Sequence, residues 1–151
     1  MRHKVILMAL FITILNILPL MGEEISPKDF YGEWIVSRHI PTSGVSAITY
    51  DEAKEYEGEI VVYNDNLVKF GKKQCSQPQY NIRKNNKTTF ETETYNNFSE
   101  LEIKGKLLYE VTIKCGAEIP RHLYASHFFF ENKNRLLFLI KGVWFELIRK
   151  K

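Results

Sequence analysis

Two segments near opposite ends of the chain set the strongest limit on its fold. Phe30 to Ile40 (Phe-Tyr-Gly-Glu-Trp-Ile-Val-Ser-Arg-His-Ile) reads as a strand, with Gly32, Trp34 and Val36 on one face and Glu33, Ile35, Ser37 and His39 on the other. The alternation makes the Trp34 face the inner one. Gly142 to Arg149 (Gly-Val-Trp-Phe-Glu-Leu-Ile-Arg), near the other end, has the same character. A first and a last strand that can pair are what a closed antiparallel barrel needs, because closure leaves no edge of unpaired backbone groups.

The stretch between them is cut into short pieces by turn signals. Pro41-Thr42-Ser43-Gly44 ends the first strand and opens a loop. Thr49 to Gly58 predicts one short helix, with Thr49 and Glu52 as a capping box and Gly58 as the stop. Glu59 to Tyr63 and Leu67 to Phe70 form a hairpin about Asn64-Asp65-Asn66. Gly71 to Pro78 reads as irregular. Gln79 to Arg83 is a strand, Lys84 to Lys87 a turn, and Thr88 to Tyr95 alternates as a further strand. Lys106 to Lys114 and His127 to Phe130 are strands separated by a loop from Gly116 to Tyr124. Leu136 to Ile140 is apolar on both faces and is expected to be buried on both. The pattern predicts an all-β antiparallel barrel of about eight strands, with one short helix after the first.

The first 22 residues stand apart. Arg2, His3 and Lys4 precede an uncharged apolar run from Val5 to Leu20, and Glu23-Glu24 follows Gly22 at once. This is the arrangement of a secretory signal peptide (residues 1–22), leaving residues 23–151 as a single domain. The alternative is a retained anchor, for which the run is short of the roughly 20 residues that a spanning helix needs. Removing the segment lowers the formal charge from +3 to +1, with 19 basic against 18 acidic side chains remaining. Those charges are interleaved, and no basic stripe carries aromatic residues, so nucleic acid is not an expected partner. Export places Cys75 and Cys115 where a disulfide survives. Two free buried thiols are the other possibility.

Candidates for chemistry are sparse. His39, His122 and His127 have no carboxylate or cysteine at a metal-ligand spacing. Glu91 with Glu93, and Glu52 with Glu55, share a face but read as solvated edges rather than an acid–base pair. No catalytic motif or phosphate loop is present, so no catalytic, cofactor or metal residues are expected and the chain reads as non-enzymatic. Asn86-Lys87-Thr88 and Asn97-Phe98-Ser99 match the glycosylation pattern, which short Lys- and Asn-rich chains also meet by chance. Ten Phe, eight Tyr and two Trp are a heavy aromatic load. It fits either a barrel filled by its own side chains or a pocket at one end lined by rings.

With these residues in view, the chain resembles a family of small secreted lipocalin-like proteins of Firmicutes. The resemblance is carried by Tyr31-Gly32-Glu33-Trp34, by the acidic helix Tyr50-Asp51-Glu52-Ala53 closing on Gly58, by Cys75-Ser76-Gln77-Pro78-Gln79-Tyr80, and by Gly142-Val143-Trp144-Phe145-Glu146-Leu147. It implies a lipocalin-like barrel in which Arg149 stacks on Trp34, beside Gly32, and plugs the closed end. It implies no activity. Lys141-Gly142 departs from the Asp-Gly usual at the final turn, and Cys115 is an addition that supports a bridge to Cys75. The resulting expectation is a secreted or cell-envelope protein that binds a small apolar or amphiphilic ligand. The alternative is an interaction module or hydrolase inhibitor with a filled barrel, working through loops Pro41 to Ala47 and Gly116 to Tyr124. An empty interior favours the first and a solid one the second.

Overall fold

The computed structural model describes residues 24–116 and 123–151. The expected signal peptide, His122 and most of the loop from Gly116 to Tyr124 therefore lie outside the described residues. Nine strands form one antiparallel sheet: β1 (Gly32–Ile40), β2 (Ile60–Tyr63), β3 (Leu67–Phe70), β4 (Lys73–Ser76), β5 (Pro78–Asn86), β6 (Leu107–Cys115), β7 (His127–Asn132), β8 (Arg135–Ile140) and β9 (Val143–Arg149). Their order is β4-β3-β2-β1-β9-β8-β7-β6-β5, so the first and last strands are neighbours at the centre. The sheet curls into a nearly closed all-β barrel, with one strand more than the approximate count expected.

Closure is completed by side chains rather than by a ladder between β4 and β5. Gln77, at φ 53°, turns the chain from β4 into β5. Cys75 on β4 is bonded to Cys115 at the end of β6, with 5.7 Å between their Cα atoms. Tyr80 on β5 donates its hydroxyl hydrogen to the Asn64 carbonyl in the β2–β3 turn, at 2.6 Å. Tyr63 on β2 donates likewise to Ala125, at 3.0 Å, within the short 3-10 turn Tyr124–Ser126. These links join the β2–β4 side of the sheet to the β5–β7 side.

Apolar residues occupy both faces of the second half of the sheet. Val111, Ile113, Phe128, Phe130, Leu136, Phe138, Phe145 and Leu147 point inward and join Phe30, Trp34, Val61 and Tyr63 in the barrel core. Leu108, Phe129, Leu137 and Trp144 point outward and join Ile40 in a second core. The exception to burial on β8 is Leu139, 44% exposed.

The outer core is covered by the segment between β5 and β6, and here the sequence reading is corrected: Lys84 to Asn86, expected as a turn, continues β5, and Lys87 begins a helix. Residues expected as a strand, Thr88 to Tyr95, belong to a helix, α2 (Lys87–Thr94), which follows the earlier helix α1 (Tyr50–Lys54) in chain order. Asn86 caps α2 by accepting from the Thr89 amide at 2.9 Å, and Tyr95 ends it in the left-handed region. Phe90 is its single buried residue and packs edge-on against Phe98 and Phe129. Burial of that ring, about 1.5–3 kcal/mol, outweighs the strand preference of four threonines. Arg38, Arg83 and Arg135 pin the segment through Glu102, Glu93 and the Leu101 carbonyl. Lys73 to Ser76, read as irregular, is the strand β4.

Candidate functional site

At one end the barrel is shut. Gly32, at φ +134°, lets the chain pass so close to β9 that an added Cβ would lie 2.9 Å from Arg149 Nη1. The Arg149 guanidinium lies 4.3 Å from the centroid of the Trp34 ring. It donates to three carbonyls, those of Lys133 at 2.7 Å, Tyr31 at 2.6 Å and Asp29 at 2.7 Å. Trp34 in turn donates its indole hydrogen to the Phe30 carbonyl at 2.9 Å. Desolvation lowers the pKa of Arg149 from its usual value. The structure thus brings Gly32, Trp34 and Arg149 together, and their bonds tie the N-terminal lead-in to the β7–β8 turn. Every donor faces protein backbone, so this end offers structure rather than chemistry.

The lumen above this plug is occupied by rings from opposite walls. Tyr63 on β2 and Phe128 on β7 are 4.6 Å apart between centroids, and Phe30 lies 5.2 Å from Phe128. Higher up, Phe70 on β3 meets Phe138 on β8 at 5.8 Å, and Phe138 meets Phe145 at 5.6 Å. Rings thus meet across the barrel at two levels.

At the other end, His39 enters the site because of a β-bulge. The register of β1 against β9 shifts between Val36 and Arg38. Ser37 becomes the extra residue, which moves His39 from the outer face, where simple alternation places it, to the inner one. Its side chain is only 8% exposed. Both its backbone amide and its Nδ1 reach Glu57 Oε1, at 3.1 and 2.6 Å. The Glu57 pKa is lowered, first by the His39 amide and then, against a smaller desolvation effect, by the imidazole. An ionised carboxylate only accepts, so Nδ1 carries a hydrogen. Nε2 has no protein partner among the described residues.

The ring stands edge-on to Tyr50, 4.3 Å away between centroids, and lines a cleft of about 160 Å³ with Ile40, Ile48, Ala53 and Val143. The roof is the loop from Pro41 to Thr49. It is laid on the β8–β9 turn, where Lys141 and Gly142 both have positive φ and the Ala47 amide donates to the Lys141 carbonyl at 2.8 Å. A Cβ on Gly142 would come within 2.5 Å of the Val45 carbonyl oxygen, so glycine here seats the roof. The floor is α1, started by the Thr49 and Glu52 capping box. On its far side Tyr56, Phe70 and Tyr124 border a second open groove of about 380 Å³, rimmed by Glu55, Glu59, Lys72 and Lys73.

The remaining candidates serve the fold. Glu52 caps α1, Glu91 accepts from the Phe98 amide, and Glu93 pairs with Arg83. His127 is half exposed and bonds Glu110 at 2.8 Å. Among the described residues no cluster of three potential metal ligands occurs and no helix is long and apolar enough to cross a membrane. Asn86 and Asn97 are exposed, the first acting as the α2 cap. No protein-family model matches the chain, and neither a curated protein nor a solved structure matches it significantly.

Proposed function

We propose that this chain is a non-enzymatic binding protein that works outside the cytoplasm and takes its partner at the open rim of the barrel rather than in the lumen. The observation that carries the reading is the contact of Tyr63 with Phe128 and of Phe70 with Phe138 across the barrel. With the axis filled, the cleft at His39 and the neighbouring Tyr56, Phe70 and Tyr124 groove are the concave, mainly apolar surfaces at the loop end. The partner is a small apolar or amphiphilic molecule. Export through residues 1–22, and kinship with small secreted lipocalin-like proteins, belong to the same proposal. The Cys75–Cys115 disulfide supports an oxidising location.

A second reading, contact with another extracellular protein through the loop from Pro41 to Ala47, is favoured by the same filled lumen and by Val45, 95% exposed at the loop's tip. Native mass spectrometry of the protein secreted by its own host separates the two. Extra mass that disappears on denaturation supports the small ligand. A bare polypeptide mass that persists after incubation with host lipid extract removes it and leaves the protein contact.

A further inference from the structure

The cleft at His39 is a built site. His39, its side chain more than nine-tenths buried, is held to one carboxylate oxygen by its backbone amide and its Nδ1, and its Nε2 has no protein partner among the described residues. Nε2 is not sealed from solvent, and His39 lines the cleft, so the atom is available to a guest there; a phenylalanine would fill the same space without offering one. We propose that the cleft binds a neutral molecule the size of one six-membered ring and that the guest's hydroxyl group pairs with His39 Nε2. The proposal rests on the rim reading above and specifies the class of ligand.

Size, polarity and charge each narrow the guest. About 160 Å³ is the volume of a single ring, since an apolar cavity of roughly 150 Å³ holds benzene. Ile40, Ile48, Ala53 and Val143 supply apolar walls, and Pro41 and the Tyr50 ring extend them. Ser46, which also lines the cleft, spends its hydroxyl hydrogen on the Ile48 carbonyl at 2.9 Å and keeps only acceptor capacity. A guest hydroxyl both donates and accepts, so it can satisfy Nε2 in either protonation state of the ring. Glu57, 2.6 Å from Nδ1, balances any charge on the imidazole, and Glu52 is tied up in the α1 cap. A carboxylate guest would approach the field of Glu57, and an ammonium guest would find no free acid within the cleft lining. A neutral, hydroxylic guest meets all three conditions.

The test uses the mature chain labelled with ¹³C and ¹⁵N and titrated with phenol. Saturable shifts at the His39 imidazole and the Ala53 methyl are expected, with benzene binding at least about tenfold more weakly for want of the hydroxyl. Ser46→Leu, at an exposed loop position, is expected to fill the cleft and abolish the shifts while the rest of the spectrum stays native. Phenol that binds no better than benzene, that leaves His39 unshifted, or that binds Ser46→Leu as well as wild type overturns the proposal. A parallel titration with decanoate separates this failure from that of the rim reading. Decanoate shifts at Tyr56, Phe70 and Tyr124 without a phenol response would keep rim binding and discard the hydroxylic ring.

Discussion

Replacing Arg149 with methionine keeps an unbranched stem over Trp34 and removes the guanidinium fork. Three charge-assisted bonds to the Asp29, Tyr31 and Lys133 carbonyls are then lost together. Bonds to charged groups contribute about 1.5–3 kcal/mol each, and the stacking on Trp34 adds about 0.5–2 kcal/mol. Two effects reduce the sum. Arg149 is partly buried, so folding costs some of its hydration, and part of the cluster is reached by water that can replace a lost donor. The expected loss is about 3–4 kcal/mol, large for one substitution. Arg149→Lys should lose about 2 kcal/mol, because a compact ammonium cannot serve three carbonyls arranged around a planar fork. Urea unfolding of the protein, followed by tryptophan fluorescence, reads both. Gly32→Ala, whose Cβ meets Arg149 Nη1, should cost clearly less in the Arg149→Met background than in wild type. A loss below about 1 kcal/mol for Arg149→Met, or strict additivity with Gly32→Ala, would refute the reasoning.

Further predictions concern the seam, the outer core and the rim. Cys75→Ser should leave Cys115 titratable and cost up to roughly 4 kcal/mol, the loop-entropy value for a separation of 40 residues; an unchanged non-reducing melting temperature would contradict this. Phe90→Ala should cost about 3–5 kcal/mol and speed amide exchange in α2 more than in β1 and β9, whereas uniform acceleration would mean that the outer core is not a separate layer. Glu57 has a lowered folded pKa, so its stabilising contribution is complete above the unfolded carboxylate value of about 4.3 and disappears as pH falls through the folded one. Wild type should therefore exceed Glu57→Gln in urea midpoint at neutral pH, with the gap closing on acidification. A gap independent of pH would remove the His39–Glu57 interaction from the account.

What could be read from the chain followed from how local each cause was. Trp34 and Val36 alternate with polar neighbours, and both are fully buried on the inner face. The Thr49 and Glu52 capping box is complete within four residues. The Lys141-Gly142 turn needs positive φ at both positions and accepts lysine in place of the commoner aspartate. Longer-range causes escaped. Thr88 to Tyr95 alternates like a strand, but its one large apolar residue, Phe90, is drawn to Trp144 and Phe129 on distant strands. A signal for that layer did exist, since Leu137 and Trp144 are outward apolar residues that required a cover. Lys73 to Ser76 has little strand character and is ordered by pairing with β3 and by the disulfide. The rim site depended on the bulge at Ser37, which turns one residue of β1 and thereby carries His39 inside. Nothing in the spacing of histidines and acids announced its pairing with Glu57, eighteen residues away.

The central claim is that the barrel is filled and that binding belongs to its rim. A crystal structure of the protein under xenon pressure tests it most directly, because xenon enters apolar cavities that water leaves empty. The account predicts no xenon between Tyr63 and Phe128 or between Phe70 and Phe138, where the rings already touch. Ordered xenon at either level would show a lumen open to ligands and contradict it.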